Sequence, residues 1–332
     1  MADSFPETSV PDPSGALPRP VAPGSAAAVL EAPDAALTYE TGVEIQARSQ
    51  WQYARRRFVR HRLALASLFL LLAIFLAGAF APVVAPYSYD EIDLENASSP
   101  PTLDGFHIFG TDLIGRDYLS RVIFGIRTSE QVALLVALLA TAIGVGVGAL
   151  AGYYSGRVDN LLMRFTDLIL TLPGLAVLLT AAALLGHGDP NRVAVILALL
   201  LWTALARILR GTFLSLREKE YVEAAKAAGA GDFRIMVRHM LPNAIGPIVV
   251  SATLIVGLAI LTEAVLGFLG FGVQPPTPTL GKLIADGEDA GTGLWWLVTF
   301  PGLTIVLILL CVNFVGDGLR DALDPTQRRV RE

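Results

Sequence analysis

Hydrophobic and polar residues alternate along this chain in long blocks rather than with a short period. Six apolar runs are each long enough to cross a bilayer as a helix, which takes about 20 residues. They fall near Leu63–Ala85, Gln131–Tyr153, Leu161–Gly186, Arg192–Arg210, Ala244–Gly270 and Leu294–Gly316. The pattern therefore predicts an all-α polytopic membrane protein with six transmembrane helices. The composition agrees, because 53% of the 332 residues are hydrophobic and only 17% are charged.

Positive charge predicts the orientation of these helices. If the amino terminus is cytoplasmic, nineteen lysines and arginines from Arg48 onward fall in cytoplasmic segments and five on the other side. Since basic residues concentrate on the cytoplasmic side of membrane proteins, we expect both termini to be cytoplasmic. The net charge of −5 adds little, because the position of the charges matters more than their sum.

The residues that flank the spans differ in composition. Residues 1–47 contain seven prolines and seven acidic residues, which predicts a disordered cytoplasmic tail. Residues 48–62 are basic with interspersed aromatics, which favours an interfacial helix over the rival interpretation of a nucleic-acid patch. Residues 63–130 are expected to hold the first span and a long extracytoplasmic loop, residues 131–318 the core, and residues 319–332 a cytoplasmic tail.

A polar segment, residues 211–242, separates the fourth and fifth spans. It contains Glu223-Ala-Ala-Lys-Ala-Ala-Gly229 and Leu241-Pro242-Asn243. Good helix formers precede Gly229, which we expect to end a helix in the left-handed conformation, and Asp232 is placed to N-cap a second short helix that ends before Pro242. An ordinary solvated hairpin is the alternative.

This segment resembles the EAA loop of bacterial ABC-importer permeases, which docks onto an ATP-hydrolysing partner. The resemblance implies that the ATPase-coupling residues are Glu223, Ala224, Ala225, Gly229, Asp232, Leu241 and Pro242. One position departs from the general pattern, since His239 stands where the family usually has isoleucine.

A second motif lies between the first and second spans and is rich in glycine and charge. It consists of Gly110, Thr111, Asp112, Gly115, Arg116, Asp117, Ser120 and Arg121. From the residues alone, we favour a salt-bridged turn that ties the loop down, with a charged docking surface as the alternative. The motif is similar to a segment of the C-type permease of peptide importers.

Two further stretches extend the resemblance over nearly the whole chain beyond the tail. Residues 263–278 and 313–325 resemble the fifth-span end and the terminal segment of oligopeptide and dipeptide permeases, and the Trp51 region is most similar to the oligopeptide branch. The resemblance implies a type I ABC-importer permease fold in the bacterial cytoplasmic membrane. Peptide is the implied cargo, and nickel and dipeptide permeases share much of the pattern.

Energy for transport is expected to come from partners, because the sequence has no G-x-x-x-x-G-K-[ST] phosphate loop. We therefore expect no catalysis, cofactor or metal site in this chain. The resemblance implies a B-type permease as the second subunit, two ATPases that bind ATP and magnesium, and an extracytoplasmic peptide-binding protein. Membrane lipids are expected as further contacts, and nucleic acid is not.

Two other function classes remain open from the residues. A secondary ion-coupled transporter would need ionisable residues within its spans. Asp167 is placed to pair with Arg164 near the cytoplasmic surface, and Glu263 either faces the pathway or an outer gate or packs against a polar neighbour. A membrane scaffold without transport would leave the spacing of residues 223–242 unexplained.

Overall fold

The computed structural model describes residues 50–186 and 188–323, and the predicted tail at residues 1–47 and the end of the carboxyl-terminal tail lie outside them. In this part of the chain every regular secondary-structure element is a helix, which confirms the all-α prediction. The helices are α1 (Gln50–Arg60), α2 (Arg62–Ala79), α3 (Tyr118–Tyr154), α4 (Gly156–Thr171), α5 (Gly174–Leu185), α6 (Pro190–Arg217), α7 (Glu220–Ala227), α8 (Asp232–Phe268), α9 (Leu280–Asp289) and α10 (Trp296–Leu323).

Five of these helices, α2, α3, α6, α8 and α10, are long and apolar enough to cross a membrane. The pair α4 and α5 passes the same test together but is bent by 89°. Counted as one span, the pair gives the six that were predicted. Pro173 explains the bend, because a residue before proline avoids the helical conformation, and Leu172 is extended with ψ 142°.

The second span begins earlier than the sequence indicates. Asp117 caps α3 by accepting a hydrogen bond from the backbone N–H of Ser120 at 2.7 Å, so the helix starts at Tyr118 rather than near Gln131. The sequence-based prediction places residues 118–130 in the long extracytoplasmic loop. One of them, Arg121, is buried and neutralised by carboxylates from outside the helix, which makes the helical conformation compatible with its charge.

The expected helix end before Pro242 is wrong, because α8 continues through this proline. A π-helical turn at Ile235–Met240 and a 3₁₀ turn at Leu241–Ala244 lead directly into the apolar part of the helix. The proline lacks an N–H donor, and the Asn243 side chain donates to the carbonyl of His239 at 2.6 Å. Membrane helices accept prolines when nearby groups satisfy the freed backbone in this way.

Helices α3 and α6 form the centre of the bundle and approach each other closely along a row of glycines. A Cβ atom added to Gly144, Gly148 or Gly152 would lie 2.9, 2.5 or 2.6 Å from a backbone carbonyl oxygen of α6. Gly146 has open space instead. Gly144, Gly148 and Gly152 are therefore packing residues, and the close contact fixes the end of α3 against α6.

The connecting segments gather at two ends of the bundle. We call the end formed by residues 80–117 and 269–295 the loop end, and the end formed by residues 155–156 and 218–244 the elbow end. The term elbow denotes α7, the turn at Gly229 and the first turns of α8.

Candidate functional site

The elbow turns at Gly229 by a hydrogen-bond pattern that is typical of helix ends. The N–H of Gly229 donates to the carbonyl of Lys226 at 2.9 Å, and the N–H of Ala230 donates to that of Ala225 at 3.0 Å. Gly229 has φ +79°, which confirms the predicted left-handed conformation. Residues with a Cβ atom adopt this conformation at a cost, so the turn depends on glycine.

Asp232 has a different contact from the one predicted. Gly231 occupies the N-cap position of α8 and Asp232 is the first helical residue. The carboxylate of Asp232 accepts a hydrogen bond from the hydroxyl of Tyr153 at 2.7 Å. The predicted N-cap is therefore wrong, because the side chain is directed to the end of α3 and not back to its own helix.

The predicted coupling residues lie at the surface of the elbow. Glu223, Ala224, Gly229, Asp232 and Pro242 are exposed, and Ala225 and Leu241 are partly buried. The elbow is attached to the bundle by fully or nearly fully buried apolar side chains, namely Val222, Ile235, Met236 and Met240. Most of the predicted coupling residues are therefore exposed on an elbow that is attached to the bundle by buried side chains.

Sequence reasoning missed an apolar surface on the same elbow. Phe233 is 75% exposed, and Val237, one helical turn later, is 44% exposed. Tyr221 on α7 is 39% exposed, and desolvation raises the pKa of its phenol, which keeps it neutral. The sequence pattern did not reveal this surface, because Met236 and Met240 follow Phe233 by three and seven residues, and a regular α-helix would place these buried residues on the same face as Phe233 and Val237.

Ion pairs attach α4 and α6 to each other near the elbow. Arg210 donates to both carboxylate oxygens of Asp159, with the Nη2–Oδ2 distance at 2.6 Å. Asp167 accepts from Arg207 at 2.6 Å, so the predicted partner Arg164 is wrong. The reason is the packing of α4 on α6, which brings a residue from a distant part of the sequence close to Asp167.

The loop end is held by a buried network around Asp112. Its carboxylate accepts from Arg116 Nε and Arg121 Nη1, both at 2.7 Å, and from the backbone N–H groups of Ile114 and Arg116. Arg121 also lies 3.5 Å from Asp286 on α9. The predicted ion pair between Asp112 and Arg116 is present, and the network joins the loop to α3 and α9.

The remaining residues of this motif also hold the loop in place. Thr111 bonds to the backbone of Asn96 and Ser99, Asp117 pairs with His107 at 2.9 Å, and the Ser120 hydroxyl accepts from the N–H of Tyr87. Gly110 and Gly115 have positive φ, and a Cβ atom on Gly115 would overlap the carbonyl of Asp93. The Asn96 amide donates to Asp93 and holds the pKa of that carboxyl below its ordinary value.

Glu263 lies in the interior of the helix bundle, on the part of α8 nearest the loop end. It is completely buried, and the hydroxyl of Ser129 on α3 donates to its Oε2 atom at 2.8 Å. The structure thus places Glu263 against a polar neighbour within this subunit. No group of three or more His, Cys, Asp or Glu side chains placed to hold a metal occurs in residues 50–186 and 188–323.

Comparison with known proteins gives matches over most of the chain. Residues 144–329 match the family model described as binding-protein-dependent transport system inner membrane component. Residues 49–101 match the model of the N-terminal TM domain of oligopeptide transport permease C.

Curated relatives match the chain over nearly their full length. The oligopeptide transport system permease protein OppC of Haemophilus influenzae is 40% identical over 286 residues, which cover 86% of this chain and 92% of the relative. The protein of the same name in Escherichia coli K12 is 41% identical over 286 residues, or 86% and 94% of the two chains. That of Mycobacterium bovis is 40% identical over 281 residues, or 83% and 94%.

Proposed function

Because this chain belongs to the family of binding-protein-dependent transport system inner membrane components, we propose that it is the C-type permease subunit of an ATP-driven peptide importer. It is a multi-pass protein of the cytoplasmic membrane. Oligopeptides are the proposed cargo, since the relatives compared above are named as oligopeptide permeases at about 40% identity. A B-type permease is the proposed second subunit of the pathway.

The observation that carries the ATPase part of the proposal is the apolar surface of the elbow. Phe233, Val237 and Tyr221 are exposed on a segment whose neighbours include Glu223 and Lys226. Exposed apolar groups rimmed by polar residues mark protein contact sites. We infer that this surface, together with the predicted coupling residues, docks onto a partner ATPase, which binds ATP and magnesium.

Charge supports a cytoplasmic position for the elbow. The loop end holds few basic residues, since Arg116 and Lys282 are the lysines and arginines of residues 80–117 and 269–295. The elbow end and its flanking helices hold most of the other arginines and lysines. The positive-inside tendency supports a cytoplasmic position for the elbow and for both termini.

Site-directed labelling tests this orientation. In a Cys311→Ser background, a cysteine at Ala227 in the elbow should react with an impermeant maleimide only after the cells are permeabilised. A cysteine at Ala290 at the loop end should react in intact cells. Equal labelling of both positions in intact cells would contradict the orientation.

The mechanism follows from the attachment of the elbow to the bundle. Closure of the ATPase dimer on ATP would draw the elbows of the two permease subunits together, and the anchored helices would move as rigid bodies to expose the pathway on the opposite side. The binding protein would deliver peptide at the loop end, where the network around Asp112 keeps the surface in one conformation.

Reconstitution tests the function as a whole. The chain alone in proteoliposomes should neither hydrolyse ATP nor take up a labelled oligopeptide. Addition of the B-type permease, the ATPases and the binding protein should give uptake that depends on ATP and on this chain. Robust ATP hydrolysis by the lone chain, or full uptake by the partners without it, would overturn the proposal.

A further inference from the structure

One side chain, Tyr153, contacts both arms of the elbow. Its hydroxyl donates to the carboxylate of Asp232 at the start of α8, with an oxygen–oxygen distance of 2.7 Å. The ammonium group of Lys226 in α7 lies 5.7 Å from the centre of the Tyr153 ring, within the range of a cation–π contact. The two arms are separated by the turn at Gly229, and Tyr153 at the end of α3 touches both of them.

Tyr153 is held firmly on the side of the bundle. The side chain is 6% exposed, and the preceding residue Gly152 packs directly against the backbone of Arg210. Arg217 at the end of α6 donates to the carbonyl of Tyr153 at 3.2 Å and to the hydroxyl of Ser155 at 2.7 Å. A movement of Asp232 and Lys226 therefore acts on a residue that cannot easily reorient by itself.

The helix that carries Tyr153 reaches from one end of the bundle to the other. It contains 37 residues, which corresponds to a length of about 55 Å. At the loop end the Tyr118 hydroxyl bonds to the carbonyls of Leu283 and Leu297, and Arg121 joins the network of Asp112. The same helix is thus bonded to the elbow at one end and to the loop network at the other.

We propose that Tyr153 is the positioning residue that transmits displacement of the elbow to α3, and through α3 to the loop end. This inference rests on the proposed coupling function of the elbow. Loss of the phenol hydroxyl should weaken the link between the elbow and α3. The elbow itself should stay folded, because Val222, Ile235 and Met240 remain buried against the bundle.

The test compares Tyr153→Phe with Tyr154→Phe in the complete transporter in proteoliposomes. Tyr154 is the neighbouring residue, 46% exposed, and loses the same oxygen atom without affecting the bond to Asp232. We expect Tyr153→Phe to lower peptide uptake per ATP hydrolysed about tenfold, within the range of allosteric coupling. ATPase assembly should be normal, and Tyr154→Phe should resemble the unmodified transporter.

A double-mutant cycle identifies the bond responsible. If Tyr153 acts through Asp232, then Asp232→Ala should give the same uncoupling, and the double variant should be no worse than either single variant. Additive losses would contradict a shared bond and overturn the proposed link.

Two results would overturn the inference directly. One is a Tyr153→Phe transporter with a normal ratio of peptide uptake to ATP hydrolysis. The other is a Tyr153→Phe transporter in which peptide uptake and ATP hydrolysis fall in parallel because less ATPase is bound, which would show a merely structural role. The Gly229→Val variant distinguishes a failure of the role proposed for Tyr153 from a failure of the coupling function proposed for the elbow. If that variant loses uptake while Tyr153→Phe does not, only the role of Tyr153 is excluded.

Discussion

The two ends of this molecule hold their polar residues in opposite ways. Next to the loop end, Asp112 and Arg121 are 5% exposed and form an ion pair within the subunit. At the elbow end, Glu223 and Asp232 are exposed and apolar Phe233 faces outward. Buried, paired charges need no partner to be stable, whereas exposed carboxylates are available to one, and exposed aromatic side chains occur at both ends, Phe106 at the loop end and Phe233 at the elbow. The difference separates a fixed end from a coupling end.

The largest effect on folding is expected at the loop end. Asp112→Ala would leave the buried guanidinium of Arg121 with only the 3.5 Å contact to Asp286, and loss of one partner of a buried ion pair costs about 3–5 kcal/mol. We expect a strong fall in membrane abundance and in the melting temperature of the purified protein. Arg116→Gln should cost less, because that side chain is 28% exposed. Near-normal stability of Asp112→Ala would show that this end is not fixed by the network.

An intermediate effect is expected at the elbow, on binding rather than folding. Phe233→Ala removes a side chain that is 75% exposed, so the subunit should remain stable. If the ring is an anchor for the ATPase, affinity should fall by about 2 kcal/mol, or roughly thirtyfold, in a pull-down titration with purified ATPase. Phe106→Ala is the control, because that phenylalanine is 69% exposed at the loop end and should not change ATPase binding.

The smallest effect is expected for the exposed ion pair of Asp167 and Arg207. Both side chains are about half exposed, at 53% and 52%, and such pairs contribute about 0–1 kcal/mol. Asp167→Asn should leave the melting temperature and peptide uptake close to normal. A loss of stability as large as that of Asp112→Ala would contradict the distinction between buried and exposed pairs.

Local features of the fold were predictable from the sequence, and features set by distant contacts were not. The turn at Gly229 follows from a short run of residues, and the six apolar runs follow from composition. The bend at Pro173 had a local signal in the proline itself, but the apolar run around it favoured one continuous span. The start of α3 at Tyr118 had a local signal in its cap Asp117, but the partners that neutralise Arg121 in the first turn include Asp286, far along the chain.

The candidate site shows the same division. The spacing of Glu223 and Gly229 located the elbow, but the hydrogen bond between Tyr153 and Asp232 joins residues 79 positions apart and depends on how α3 packs on α6. For the same reason, spacing along the chain did not favour Arg207 over Arg164 as the partner of Asp167. Such contacts follow from tertiary packing, which single-sequence patterns do not specify.

Coupling through the elbow is tested most directly by valine substitutions at two neighbouring exposed glycines that differ in backbone conformation. Gly229 has φ +79°, which valine resists, whereas Gly231 has φ −70° and ψ 153°, which valine adopts readily, and both positions have open space around them. We predict that Gly229→Val abolishes peptide uptake in the reconstituted transporter while the protein reaches the membrane at near-normal abundance, and that Gly231→Val and Gly229→Asn retain most uptake. Normal uptake and normal ATPase binding in Gly229→Val would show that the elbow is only a connector.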